Sequence, residues 1–511
     1  MNPIELGLAV SRLEAICGEM GATLRRAAFS PNIKDRLDFS CAIFSADGAL
    51  AAQAAHIPVH LGSMAYAMGK LVREIDWAPG DMVVVNDPYL GGTHLPDVTL
   101  VAPVFAGDTL LAFCANRAHH ADIGCASPGS MPLARTLEDE GLVLAPRHYL
   151  RGGRLDAATQ ALLERGLRNP RATLGDFAAQ VSANRTGVAR LAALIEGATP
   201  DAFRATLAAI DEYAETLARS AIRDLPDGIY SHRDYMDGDG LGAERVPIAL
   251  TLTIAGEHVT LDFSGTGRQV TGNINCPLAV TAAACYYAFY ALMPRATPPA
   301  AGSLRVLELH APRGCLLNAT PPAAVAAGNV ETSQRIVDVV LGALAQAVPT
   351  RIPAASQGTM NNVAMGGPGW DYYETLAGGT GAHADGDGLD AVHSHMTNTL
   401  NTPLEVLEMN YPLRVTRYAV RRGSGGAGRH RGGDGLVREY EFLAPARVTL
   451  LGERRTCAPP GLNGGRPGQP GCHRLNHAAL PGKCEVTVGC GDRLTIETPG
   501  GGGWGAAESP T

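Results

Sequence analysis

Lysine is nearly missing from this chain. Lys34, Lys70 and Lys483 are the only three in 511 residues, so Schiff-base chemistry has few candidates and arginine carries the cationic work. No Gly-x-x-x-x-Gly-Lys-Ser/Thr loop occurs, which removes a Walker-type nucleotide site. Gly-x-Ser-x-Gly and His-Glu-x-x-His are absent too, and with them the common serine-hydrolase and zincin routes. The 11 cysteines form no Cys-x-x-Cys pair and are scattered from Cys17 to Cys490, the pattern of reduced thiols in a cytoplasmic protein. No apolar run approaches the roughly 20 residues of a membrane span, and Met1-Asn2-Pro3-Ile4-Glu5 does not read as a signal peptide; no membrane is expected. A net charge of -8 is mild for this length, and no basic stripe with interleaved aromatics appears, so nucleic acid is not an expected partner.

What is present is a repeated metal-ligand pattern. The stretch Asn86-Asp87-Pro88-Tyr89-Leu90-Gly91-Gly92-Thr93-His94-Leu95-Pro96-Asp97 and the later Arg117-Ala118-His119-His120-Ala121-Asp122 each contain His-x-x-Asp. Between them an alternating run, Val98 to Val104, and a second from Leu110 to Asn116 flank the turn Ala106-Gly107-Asp108. Antiparallel pairing about that turn sets Asp97 within a residue or two of His119. His94, Asp97, His119 and Asp122 then converge as candidate ligands. Mixed imidazole and carboxylate suit zinc, manganese or iron, whereas a purely structural zinc knot favours thiolate. His120 points to the other face if the strand continues, as a supporting partner. His56, His60 and His148 are possible additional ligands. The competing reading is an ordinary loop, which is also built from Asp, His, Asn, Gly and Pro.

The expected fold is α+β: a sheet-rich multidomain chain with a helical segment and a glycine-rich β region. Residues 1-150 read as a mixed sheet domain behind a leading helix and carrying the metal-candidate loops, with Phe39 to Phe44 and Asp81 to Asn86 as strands. Residues 151-228 read as helical, with Phe203, Leu207, Ile210, Tyr213, Leu217 and Ala221 on one face. Residues 229-397 read as mixed α/β, including strands Ile248 to Ile254 and Val259 to Phe263 and a helix opening at Asn329. Residues 398-511 are glycine-rich and strand-like, and Trp504 suggests that the tail docks on the body. The Arg421 to Arg431 tract could cradle phosphate, although tight turns explain its glycines without a ligand. A second polar cluster, His383, Asp385, Asp387, His393 and His395, could line a substrate cavity, hold another ion or be a surface loop.

These motifs resemble the hydantoinase B/oxoprolinase family almost end to end. The resemblance is carried by Asn86 to Asp97, His119 to Gly124, Pro128-Gly129-Ser130-Met131, Gly328-Asn329-Val330-Glu331-Thr332-Ser333, Asn398 to Glu405, Gly423 to Gly435 and Gly500 to Gly505. Two departures are Cys125, where the family pattern usually has glycine, and Leu404, where valine is commoner. The resemblance implies ATP-dependent opening of a cyclic amide such as a hydantoin, 5-oxoproline or a lactam. It also implies a hetero-oligomer, in which a hydantoinase A-type subunit binds ATP and phosphorylates the amide oxygen while this type of chain completes hydrolysis. The related acetone carboxylase subunit has a similar metal pattern, which transfers onto His94, Asp97 and His119.

On that basis a divalent metal, zinc, manganese or iron, is expected at His94, Asp97 and His119, with Asp122 as a further ligand. His120, Asp122 and Glu331 are candidates for proton transfer. Arg117, His383 and His395 are candidates for binding the substrate, Arg117 through a bidentate grip on phosphate. Rival expectations are a carboxylase subunit of the acetone carboxylase type, a metal-stabilised scaffold without chemistry of its own, and an amidase using Cys125 or Cys114.

Overall fold

The computed structural model describes residues 1–54, 56–60 and 62–507, and these form an α+β fold with four sheets and nine α-helices. The largest sheet comprises β1 (Phe39–Ser45), β2 (Leu50–Gln53), β3 (Met82–Val85), β4 (Asp97–Ala106), β5 (Thr109–His119), β6 (Arg147–Arg151) and β7 (Arg154–Leu155). Its order is β2-β1-β5-β4-β3-β6-β7 and every pairing is antiparallel. The hairpin foreseen between the two His-x-x-Asp copies is therefore the centre of the sheet. Gly107 takes a positive φ of 58° at its turn, and Ala106 pairs with Thr109. Both strands run further than their alternation suggested, so Asp97 and His119 are themselves strand residues, directly opposite one another.

Alternation along these strands sorts the side chains onto two faces. Val98, Leu100, Cys114, Asn116 and Ala118 face the helices; Thr99, Val101, Phe113, Ala115, Arg117 and His119 face the other way. The helical layer is α1 (Pro3–Ala27), the short α2 (Pro31–Lys34), and, beyond α3 (Ser63–Glu74), α4 (Ala157–Gly166), α5 (Pro170–Glu196) and α6 (Pro200–Arg223). Asn2 and Glu5 form a capping box that starts α1, and Leu13, Cys17, Met20 and Leu24 bury its apolar stripe. On α5, Phe177 and Val181 pack on the sheet, while Gln180 and Asn184 bond Asn116 and strand carbonyls. Each fully buried side chain of the Phe or Leu size contributes about 1.5–3 kcal/mol. The opposite face is closed by Met64, Met68 and Leu71 of α3.

A second sheet, ordered β11-β10-β9-β8, is formed by β8 (Gly228–Gly238), β9 (Glu244–Ala255), β10 (His258–Asp262) and β11 (Leu307–His310). It shares a core with α7 (Leu278–Tyr290) and α8 (Ser333–Ala347). The helix expected from Asn329 begins differently: Gly328–Thr332 is a π-helical turn, and α8 follows at Ser333. Such turns are rare and concentrate at functional sites. The third sheet is β13-β12-β16-β19, from β12 (Asn362–Gly367), β13 (Trp370–Glu374), β16 (Ala446–Leu451) and β19 (Lys483–Val488). Behind α9 (Leu404–Asn410), the fourth is β14-β15-β20-β17-β18, from β14 (Leu413–Arg421), β15 (Gly435–Phe442), β17 (Cys472–Leu475), β18 (Ala478–Leu480) and β20 (Arg493–Glu497).

The glycine-rich tail threads between backbones. A Cβ on Gly501 would lie 2.0 Å from the Thr380 carbonyl, and one on Gly433 would lie 1.9 Å from that of Leu389. Trp504 bridges to His430 and Leu462, so the tail does dock. These glycines allow close chain approach, which accounts for the Gly423 to Gly435 tract.

Gly328 has the same function at the π-helical turn, where a Cβ would lie 1.8 Å from the Asn275 carbonyl. Gly328→Ala is expected to displace the turn and lower stability by about 2 kcal/mol or more, read as a lower urea midpoint.

Candidate metal centre

Asp97 and His119 owe their closeness to the β4–β5 pairing, and both project from the face opposite α5. His119 Nδ1 lies 3.3 Å from Asp97 Oδ1. His94, three residues before Asp97 in the preceding loop, brings Nε2 to 3.1 Å from the same oxygen. One potential ligand atom from each of His94, Asp97 and His119 lies within 4.8 Å of the others, and all three residues are buried. This is the His-x-x-Asp plus His arrangement read from the spacing.

The surroundings fix the states that a metal requires. Burial by itself raises the Asp97 carboxyl, but His94, His119 and His60 outweigh it and hold the group well below the usual carboxylate range. Burial pushes the His119 imidazole down, against the opposing pull of Asp97, and so favours the neutral ring. A carbonyl can only accept, so the His94 Nδ1 facing Ala326 O at 3.3 Å carries the proton and donates it. Nε2 is left free. The His94 Nε2 that faces Asp97 is buried without a hydrogen-bond partner, as expected of a ring arranged for an ion, whereas His119 meets the same oxygen through Nδ1 and its Nε2 is unpartnered.

An outer layer orients this group. Glu140 accepts from the amides of Val325 and Ala326 through one oxygen, which anchors the residue whose carbonyl holds His94. Thr93 Oγ1 donates to Asp97 Oδ2 at 2.5 Å, and Asn329 Nδ2 approaches that oxygen at 3.4 Å from the π-helical turn. Tyr373 stacks on the His119 ring with centroids 4.7 Å apart and an angle of 14°. Its hydroxyl donates to Asn362, whose amide donates to Glu331. A narrow cavity of about 20 Å³, the scale of one or two waters, reaches Asp97 and His119. Ile57, Val59, Met360 and Met396 supply its apolar wall; Asp38, His60, Asn329, Thr375, Thr397 and Thr399 supply polar groups.

The sequence pattern of the Hydantoinase B/oxoprolinase family matches residues 2–507. The chain belongs to that family. It is 41% identical to an uncharacterised protein of Methanocaldococcus jannaschii over 99% of this chain and 91% of that one. It is 37% identical to a 5-oxoprolinase of Dictyostelium discoideum over 100% of this chain but only 41% of the relative, so it spans about two fifths of that longer protein. Among solved structures, the ATP-dependent caprolactamase of Pseudomonas jessenii superposes with a TM-score of 0.91 at 27% identity, covering 99% of this chain and 91% of that one. An acetone carboxylase chain superposes with a TM-score of 0.89 at 18% identity, covering 99% of this chain and 76% of that one, a likeness of fold.

Several residues expected at the site of this hydantoinase B/oxoprolinase chain lie elsewhere. Asp122 is outside the trio: its carboxylate accepts from the amides of Gly124 and Asn169, so it ties a loop to the start of α5. His120 points to the opposite face, where it meets Gln180 Oε1 at 3.0 Å and Phe177, and burial lowers its basicity. Arg117 donates to Thr99, Ser63 and the Gly91 carbonyl, which spends the fork meant for phosphate on the protein itself. Glu331 is buried behind Met360, accepting from that residue's amide and from Asn362, and does not line the cavity.

The second cluster disperses. His383 is exposed and accepts from the Asp385 amide. His395, at a positive φ of 56°, turns to Asp338 at 3.5 Å while its neighbour Met396 lines the cavity. His148 pairs with Asp81, and His56 packs at a tilt against Phe39. His60, weighed only as an additional ligand, does reach the site, with Nε2 3.4 Å from Asp97 Oδ2. Tyr373 and Glu140 were missed, since neither sits in a ligand-like spacing. Asn329 was visible only as part of a family motif.

Burial pushes the carboxyl of Glu331 up to about 7 and that of Glu140 up to about 8. The folded state therefore holds these protons more tightly than the unfolded chain. Their contribution is complete below the ordinary carboxyl range near pH 4.5 and is lost as pH rises through 7 to 8. Urea titrations of the metal-free protein should show a fall over that interval on the order of 1–3 kcal/mol, and Glu140→Gln should flatten it.

Proposed function

We propose that this chain is the metal-holding subunit of an ATP-dependent hydrolase of cyclic amides. The observation that carries the reading is the buried group of His94, Asp97 and His119, with unpartnered imidazole nitrogens beside a narrow cavity. The family and the superposition on a protein titled an ATP-dependent caprolactamase support the reaction class. Zinc, manganese or iron suits the donor set. Bound there, such an ion supplies Lewis acidity, which polarises an oxygen of the substrate and activates water.

A planar amide resists water because resonance protects its carbonyl carbon. Phosphorylation of the amide oxygen removes that protection; it requires a nucleotide site, and this sequence has no Walker-type loop. We assign that step to a hydantoinase A-type subunit, in a cytoplasmic hetero-oligomer; in the longer 5-oxoprolinases the remaining length has room for it. The side chains here do the rest. Asp97, His94 and His119 would hold the ion, Ile57, Val59, Met360 and Met396 exclude bulk water, and Asn329, Thr375, Thr397 and Thr399 offer hydrogen bonds to the one or two waters that the cavity fits.

Elemental analysis of the purified chain is expected to find about one zinc, manganese or iron per site of this donor set, removable by chelation. With the ATP-binding subunit co-expressed and hydantoins, 5-oxoproline and lactams supplied, His119→Ala should leave the complex assembled and cut ring opening by about 100-fold or more. Turnover that survives in His119→Ala while the complex falls apart would instead identify a scaffold.

A further inference from the structure

The two oxygens of Asp97 face different company. Oδ1 is the one approached by His94 and His119. Oδ2 receives the Thr93 hydroxyl at 2.5 Å and Asn329 Nδ2 at 3.4 Å, and His60 Nε2, which has no other partner, lies 3.4 Å from it. Thr93 and Asn329 reach it from the loop before β4 and from the π-helical turn. His60 reaches it from the separate segment Pro58–His60, on the cavity side.

The state of His60 follows from its other nitrogen. Nδ1 lies 2.8 Å from Ser40 Oγ, and the same oxygen accepts from the Ile57 amide at 3.2 Å. A serine hydroxyl has one proton to give. In the arrangement where Ser40, with Ile57 on one of its two lone pairs, gives that proton to His60 Nδ1, the ring proton sits on Nε2, facing Asp97. An Nε2 that carries a proton has no lone pair for an ion. In agreement, the group whose ligand atoms lie within 4.8 Å of one another contains His94, Asp97 and His119 without His60.

We infer that His60 is a positioning residue: braced by Ser40, it holds Asp97 Oδ2 and thereby directs Oδ1 toward the ion bound by His94 and His119. This rests on the metal reading above. Partners that orient a ligand in this way change metal affinity by about 10–100-fold when removed.

The test uses the full chain freed of metal and titrated with Zn²⁺ against a chromophoric chelator, with the Co²⁺ ligand-field spectrum as a second readout. His60→Ala should weaken Zn²⁺ binding by about 10–100-fold. Ser40→Ala should weaken it less, in the same direction. His60→Gln, which keeps an N–H donor, should recover most of the affinity and give the wild-type Co²⁺ spectrum. Melting curves of the metal-free variants separate loss of position from loss of fold, and Ser40→Ala carries the test if His60→Ala does not fold. Wild-type affinity in both His60→Ala and Ser40→Ala overturns the inference alone. So does a His60→Gln protein that loses Zn²⁺ as completely as His94→Ala, with a changed Co²⁺ spectrum, because His60 is then a ligand. A wild-type chain that takes up neither ion overturns the metal reading and this inference together.

Discussion

A carboxylate without water around it is one of the most expensive groups a fold can contain, and Asp97 is fully buried. Everything near it answers that cost. Three imidazoles, a hydroxyl and an amide surround its two oxygens. Those groups come from β4 and its preceding loop, β5, the segment at His60 and the π-helical turn, so one ionised side chain dictates where four stretches of chain must meet. Removing partners singly would leave a charge with nowhere to go. The same arrangement, imidazoles about an anionic oxygen, suits a divalent ion.

The hairpin was legible because two periodicities agreed. Alternation marked the strands, Gly107-Asp108 marked the turn, and together they set Asp97 within a residue or two of His119; the structure puts the two directly opposite. The fold class followed from the same signals. Parity also placed His120 on the far face, where α5 receives it. The long-range parts were not legible. Nothing in the spacing of Arg117 reveals that Ser63 and Gly91 fold back to take its donors, and nothing near Asp122 announces the amide of Asn169. His60 lies far from Asp97 along the chain, and only tertiary folding sets them 3.4 Å apart.

Arginines buried around the core mostly brace the structure. Arg117 ties the sheet to the start of α3, while Arg335 and Arg454 join α8 to β8 and to the end of β16 through Asp234, Asp338 and Glu453. Glycine does comparable service without charge, letting the tail pass between the loops around Thr380 and Gly433. Around Asp97 and His119 much of the cavity lining falls to isoleucine, valine, methionine and threonine, residue types that suggest no chemistry by themselves.

The opposition of Asp97 and His119 across two central strands has a consequence for how the chain matures. Successive side chains of a strand face opposite sides, so a slip of one residue between β4 and β5 would send the carboxylate and the imidazole to different faces. No ion could then be shared between them. Whatever occupies this trio acts as a proofreader of strand alignment, rewarding only those chains whose central hairpin has closed in its proper frame.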